Sequence, residues 1–257
     1  MIAVRAVVFG LVGLAVGSFL TVVVHRVPRG ESLVSPRSRC PSCGAQLRNV
    51  DNIPVVSWLL LRGRCRSCGA RISPVYLLTE LTTAVLFAGA ALAFEGVWVA
   101  AIVAPFLGLM VALSAIDVRH RIIPNRIVYP AFAIFVAAIV VADVAGAGPN
   151  APRAALGTLA YGGGLLVVAL VSPRGMGMGD VKLAGLIGLV LGALGLRFVA
   201  VGAGVGIVLG GVGAIVALIA GASRKQALPF GPFLAAGAVV AALFGEQLAA
   251  AYLRIVG

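Results

Sequence analysis

Gly175-Met176-Gly177-Met178-Gly179-Asp180-Val181-Lys182 leads straight into an apolar run at 183–196. A carboxylate at the mouth of such a run, behind glycines that let backbone come close, is a functional-site candidate, because ionisable groups are costly at membrane depth. The same residues also read as a flexible loop followed by an N-capping Asp. Composition supplies the context. The 257 residues are 61% hydrophobic and 11% charged, with mean hydropathy +1.12, far from the usage of water-soluble domains. The expected fold class is therefore an all-α polytopic membrane protein. A hydrocarbon core of about 30 Å takes roughly 17–25 apolar residues to cross. About eight runs qualify, near 2–24, 75–94, 97–116, 127–144, 154–171, 181–195, 198–222 and 232–252. The 181–195 run reaches across only if it stands nearly upright. The first run lacks a signal-peptide cleavage pattern and is kept as a span.

A formal net charge of +12 would suggest a nucleic-acid partner if the basic residues formed one soluble patch. They are instead spread by topology. With the segment after the first span in the cytosol, sixteen Lys and Arg fall inside, among them Arg48, Arg119, Arg174, Lys182, Arg224 and Lys225. Four, Arg5, Arg153, Arg197 and Arg254, fall outside. The positive-inside rule then puts the N-terminus outside and makes the number of spans even. No nucleic-acid partner is expected; the lipid bilayer is.

Three parts follow: a first helix at 1–24, a polar segment at 25–74, and a membrane domain at 75–257. All four cysteines lie in the polar segment, as Cys40-Pro41-Ser42-Cys43-Gly44 and Cys65-Arg66-Ser67-Cys68-Gly69, with 21 residues between the two turns. A C-x-x-C turn aims two thiolates at one ion, and two such turns complete a tetrahedral set. Two disulfides are the alternative, but in the cytosol thiols stay reduced. Structural zinc on Cys40, Cys43, Cys65 and Cys68 is the favoured reading, and the metal would contribute folding energy that so small a segment lacks. Asp51-Asn52-Ile53-Pro54 reads as a turn, and Trp58 with Leu59, Leu60 and Leu61 as a small core or a membrane-facing patch.

The chain has only eight carboxylates. Glu31 and Asp51 are in the polar segment, while Glu95, Asp143 and Glu246 fall toward the outer side. Asp117, Asp180 and Glu80 remain at the inner leaflet. Two carboxylates close together in a low-dielectric site share a proton, so the pair can activate water while protonating a leaving group. That is aspartyl protease chemistry. Small residues at Gly13-x-x-x-Gly17 and Gly202-x-x-x-Gly206-x-x-x-Gly210 suit close helix packing in lipid. Gly162-Gly163-Gly164 is expected to kink or thin the fifth span, and Pro229-Phe230-Gly231-Pro232 restarts the last one beside the site.

Taken together these residues resemble the prepilin peptidases, a family of membrane aspartyl proteases with a GxGD motif. The resemblance rests on Gly177-Met178-Gly179-Asp180-Val181-Lys182, on Ile116-Asp117 through Ile123-Pro124-Asn125, on Gly17-Ser18-Phe19-Leu20, on the paired C-x-x-C turns, on Glu80-Leu81 and on Pro229-Phe230-Gly231-Pro232. It implies an endopeptidase of the bacterial inner membrane that removes the leader of type IV prepilins or pseudopilins after a glycine, at the cytosolic face. It further implies N-methylation of the new terminus from S-adenosylmethionine. The catalytic pair is then Asp117 and Asp180, with Gly177, Gly179 and Lys182 as the surrounding motif, Glu80 and Asn125 as accessory residues, and the four cysteines as the zinc set. Thr21 stands where the family has Asn. It lacks the amide's paired donor and acceptor, so a peptidase without methyltransferase activity is the first alternative. A proton-coupled transporter, which would want carboxylates nearer the midplane, is the second, and a membrane-anchored zinc interaction module a third.

Overall fold

The computed structural model describes residues 1–35, 37–172, 176–221 and 229–256. Arg174, Gly175, Arg224 and Lys225, which figure in the glycine motif and the charge distribution, lie outside the described residues. Among the described residues the secondary structure is helical apart from two isolated bridges, Arg39 to Gln46 and Arg64 to Arg71. The helices are α1 (Ile2–Arg26), α2 (Val56–Leu60), α3 (Pro74–Ala93), α4 (Val97–His120), α5 (Asn125–Val144), α6 (Ala151–Thr158), α7 (Gly164–Val171), α8 (Met178–Leu194), α9 (Leu196–Ile219) and α10 (Gly231–Val256). A π-helical turn, Leu159–Gly163, joins α6 to α7 into one span.

By length and composition seven of these segments can cross a membrane. The eighth expected run is α8, with 17 residues, about 26 Å at 1.5 Å per residue. It falls short of the length a lone span needs because it does not face lipid. From Leu183 to Ala193 its side chains are buried, and Leu183, Leu186, Ile187 and Leu191 are wholly enclosed. They pack with Phe106, Leu107, Met110 and Leu113 of α4, Ile139 of α5 and Leu234 of α10 in one continuous core. Helices α4 and α8 are thus the centre, and the others shield them.

Small residues set how closely the shield sits. A Cβ on Gly162 would lie 2.8 Å from Gly185 Cα, and one on Gly192 would lie 3.0 Å from Gly157 Cα. The α6–α7 span and α8 therefore touch backbone to backbone, where close van der Waals packing stands in for a hydrophobic driving force that lipid does not supply. The expected irregularity at 162–164 is the π turn just before Gly164. Gly13 and Gly17 of α1 meet Ala84, Phe87 and Glu80 of α3 in the same way, and Gly202 and Gly206 of α9 meet α10. At the far end Arg5 donates to the carbonyls of Phe94 (2.7 Å), Glu95 (2.5 Å) and Ala91, carbonyls that the end of α3 leaves without helical partners.

The polar segment sits over the shared end of α1 and α3. Helix α3 starts at Pro74, with Ser73 accepting from the Val75 N–H at 3.3 Å, a cap followed by the one residue that lacks an N–H to satisfy. The expected turn at 51–54 is a 3₁₀ turn, Asn49–Asn52, leading into α2. Trp58 packs over Gly63, whose φ of +64° suits glycine. Leu59 and Leu60 stay exposed while Trp58 and Leu61 face inward over a cavity, so the stretch is split between the two expected roles.

Candidate active site

Asp117 lies one turn before the end of α4 and is 5% exposed. The helix stops there because Arg121 takes a left-handed conformation (φ +53°), its N–H returning to the Asp117 carbonyl at 2.8 Å, and Pro124 follows. The Asp117 side chain accepts a buried hydrogen bond from the Gly231 N–H, 3.0 Å from Oδ2. Gly231 opens the 26-residue α10, so the positive end of a helix dipole faces the carboxylate. A Cβ on Gly231 would lie 2.7 Å from that oxygen, so a larger residue fits only by displacing the carboxylate.

Asp180 occupies the first turn of α8, its N–H on the Gly177 carbonyl at 3.1 Å. Gly177 is the extended cap residue (φ −79°, ψ 144°), and Gly179 lies against Ile123, with its Cβ position 3.2 Å from the Ile123 Cβ. That close approach brings the start of α8 against the 121–124 connection, at the same end of the bundle as Asp117. Lys182 does not pair with either aspartate. Its Nζ donates to Asn125 Oδ1 at 3.0 Å and lies 5.2 Å from the Tyr129 ring centroid, tying α8 to the start of α5. Asp117, Asp180, Gly177, Gly179, Lys182 and Asn125 thus form one constellation at one end of the bundle.

The four cysteines form another. Their Sγ atoms all lie within 4.8 Å of one another, and no disulfide joins them. The two turns are built alike: Cys40 N–H on the Ala45 carbonyl (2.9 Å) and Cys65 N–H on that of Ala70 (2.8 Å), with Gly44 and Gly69 at φ +70° and +71°. The Cys40–Cys68 separation of 3.9 Å is close to the ~3.8 Å edge of a tetrahedron with metal–sulfur bonds of about 2.3 Å. The set could hold a metal ion. The N–H groups of Cys43 and Ser42 pull the Cys40 thiol down to about 6, while Cys68 stands at about 11, where the Ala70 N–H lowers it less than the neighbouring thiols and burial raise it. Four thiols this close cannot all ionise unless a cation joins them. Beside them Arg66 grips Asp51 with contacts of 2.6 and 3.0 Å and holds that carboxyl below the usual range, burial opposing and Arg48 helping.

Glu80 departs from the expected grouping at the inner leaflet. Its carboxylate accepts the Val55 N–H at 2.7 Å, on the α1 side of the molecule, and it lines a cavity of about 1010 Å³ between α1, α3 and the cysteine turns. Neither Asp117 nor Asp180 borders that space. Ser18, Thr21 and His25 of α1, Tyr76 of α3 and Trp58 of α2 do. Thr21 therefore stands in the cavity wall, away from the aspartates.

The matched family models follow the same division. Residues 11–94 match the bacterial peptidase A24 N-terminal domain, and residues 104–244 match the type IV leader peptidase family. The chain belongs to the type IV leader peptidase family. Among its relatives in this family, the prepilin leader peptidase/N-methyltransferase of Bacillus subtilis is 34% identical over 245 residues, 95% of this chain and 96% of that one. Those of Dichelobacter nodosus (33%, covering 93% and 91%) and Pseudomonas aeruginosa (34%, covering 96% and 93%) are similar to it over the same extent. No solved structure matches.

Within this leader peptidase frame, two functional groups were hard to read from the chain. Gly231 acts through its backbone N–H, so its residue type signals only that space is tight. Val55 has no polar side chain at all, and only the buried Glu80 hinted that something must donate to it.

Proposed function

We propose that the chain is an aspartyl endopeptidase that cleaves the leader of type IV prepilins or pseudopilins after glycine and then methylates the new N-terminus. The observation that carries the first activity is the pair Asp117 and Asp180, on two central helices at one end of the bundle, with the Gly231 N–H on Asp117. The Gly231 N–H and the α10 terminus favour the charged form of Asp117, which suits it to take a proton from water. Asp180 shares that low-dielectric site, and the proton the pair holds between them goes to the departing amine. Lys182, held by Asn125, orients the start of α8 and keeps its own charge off the pair. Gly177 leaves backbone room for a substrate strand beside Asp180, while Gly179 lets the start of α8 close on Ile123.

Methyl transfer belongs to the cavity below the cysteines. Its volume suits a small-molecule ligand. Its walls carry Arg39, Arg48 and Arg71 as well as Glu31 and Asp51, a fit for the zwitterionic, cationic methyl donor S-adenosylmethionine. When bound, that donor supplies an electrophilic methyl on a sulfonium. Thr21 keeps an acceptor oxygen toward the cavity, since its proton goes to the Ser18 carbonyl at 2.7 Å, and this favours retention of methylation over loss. Cys40, Cys43, Cys65 and Cys68 would hold zinc with all four positions filled, leaving no site for water, so the ion shapes the cavity roof and hydrolyses nothing. The sixteen-to-four division of basic residues supports a multi-pass inner-membrane protein with both sites cytosolic and the N-terminus outside.

Incubating the purified protein with a prepilin peptide and S-adenosylmethionine, and weighing the products, tests both activities. The expected product is leader-free and one methyl heavier. An uncut peptide would overturn the peptidase reading; a cut, unmethylated one would overturn the second activity alone.

A further inference from the structure

We infer that Glu80 receives the primary ammonium of the cleaved substrate, making the membrane-side floor of the cavity the methyl-acceptor site; this rests on the methyl-transfer reading above. Glu80 is 8% exposed and sits well inside α3. A carboxylate at that depth is retained only with a partner. Among the described residues no Lys, Arg or His pairs with it, and only Oε2 has a donor, the Val55 N–H. That donor is itself unusual. Val55 has φ +63° and ψ −52°, with Val56 N–H returning to the Pro54 carbonyl at 2.6 Å, a γ-turn that β-branched residues rarely adopt. The carboxylate thus clamps the polar segment with one oxygen and keeps the other for the cavity it lines.

On the α1 wall of the same cavity stands an acceptor. Thr21 has given its hydroxyl proton to Ser18 and has only lone pairs left to share. An ammonium brings three donors and no acceptor, so it complements Glu80 and Thr21 together. A neutral or anionic group would not. The position also matches where the substrate must be, because the new terminus of a membrane-anchored chain emerges at the bilayer surface and not deep in the cytosol. The transfer balances: the ammonium passes one proton to Glu80, and the freed nitrogen lone pair forms the bond to the donor methyl. The sulfonium C–S electron pair stays on sulfur, and the product leaves as a secondary ammonium.

Full-length protein in nanodiscs, without methyl donor, is titrated with a peptide matching the mature N-terminus and with its N-acetylated form. Wild type should prefer the free amine. Glu80→Gln keeps an amide oxygen for Val55, so the turn survives while the charge is lost; it should weaken binding of the free-amine peptide about tenfold and leave the acetylated one unmoved. With donor present, KM for the peptide should rise and KM for the donor hold. Glu80→Asp keeps the charge and must keep the amine preference, which preserves the test if the Gln variant fails to insert. Equal binding of both peptides by wild type, or an equal loss for both in Glu80→Gln, overturns the assignment. Wild type that prefers the amine yet never methylates would instead sink the methyl-transfer reading.

Discussion

The polar segment and the membrane domain hold their chemistry in opposite ways. In the membrane domain, packing does the positioning: Asp117 and Asp180 sit where two buried helices end, and glycines set the approach to within backbone contact. The polar segment has almost no core of its own. Cys40 and Cys65 are its buried apolar positions, and its order comes from two cysteine turns, the Asp51–Arg66 pair and the Glu80–Val55 bond. A site cut into a rigid bundle should fail one residue at a time, whereas one stapled by a few polar contacts should fail as a unit.

The sharpest way to break this contrast is in the dyad. Asp117→Asn and Asp180→Asn should each lower the cleavage rate by at least about a thousandfold while the protein still inserts, since an amide keeps the volume but moves no proton. The double variant should be hardly worse than either single one, because the pair acts as a unit. A cleavage assay with near wild-type rates for Asp180→Asn would remove the dyad. Next in size is zinc removal. Chelation, or Cys43→Ser with Cys68→Ser, should abolish methylation and expose the segment to protease while leaving cleavage within about twofold, as expected when metal binding is folding energy for the segment only. Loss of cleavage at the same chelator concentration would show that the two regions are not independent.

Gly231→Ala should come third. The added methyl must push the Asp117 carboxylate off its only described donor, and losing one preorganised hydrogen bond to a reacting charge costs about ten- to a hundredfold in rate; kcat for cleavage, with methylation as the folding control, measures it. The smallest effect is expected at Asp51→Asn. Arg66 holds the Asp51 carboxyl below its ordinary value, so the ion pair stabilises the segment above the unfolded carboxyl range, about pH 4, and that contribution is lost as pH falls through the lower folded value. Protease resistance of the segment should therefore differ between wild type and Asp51→Asn at pH 7 and converge in acid. A difference that does not shrink as pH falls below that range would mean the contact is not ionic.

The membrane class and most span positions follow from runs of apolar residues, because a helix in lipid must satisfy every backbone group internally and so announces itself by length. Helix α8 blurred that rule: enclosed by protein, it is freed from the length lipid imposes, and its glycines announce contact without saying with which helix. The cysteine turns were legible because two short-range motifs define their own geometry. The partners of Glu80 were illegible for the opposite reason. Depth along a span can be counted from the sequence, but the direction a side chain faces depends on which helix packs there, and α1 rather than α8 lies on that side. Gly231 and Val55 work through backbone N–H groups, which every residue but proline carries.

The brevity of α8 also has an access consequence. At 17 residues beside neighbours of 24 in α4 and α9, it is about 10 Å shorter than they are, so its two ends cannot both be level with theirs. On the proposed peptidase reading, a first turn of α8 set back from the neighbouring helix ends would let water and an extended leader reach Asp180 from the side where α8 begins. On that reading the direction of processing follows from the length of one central rod.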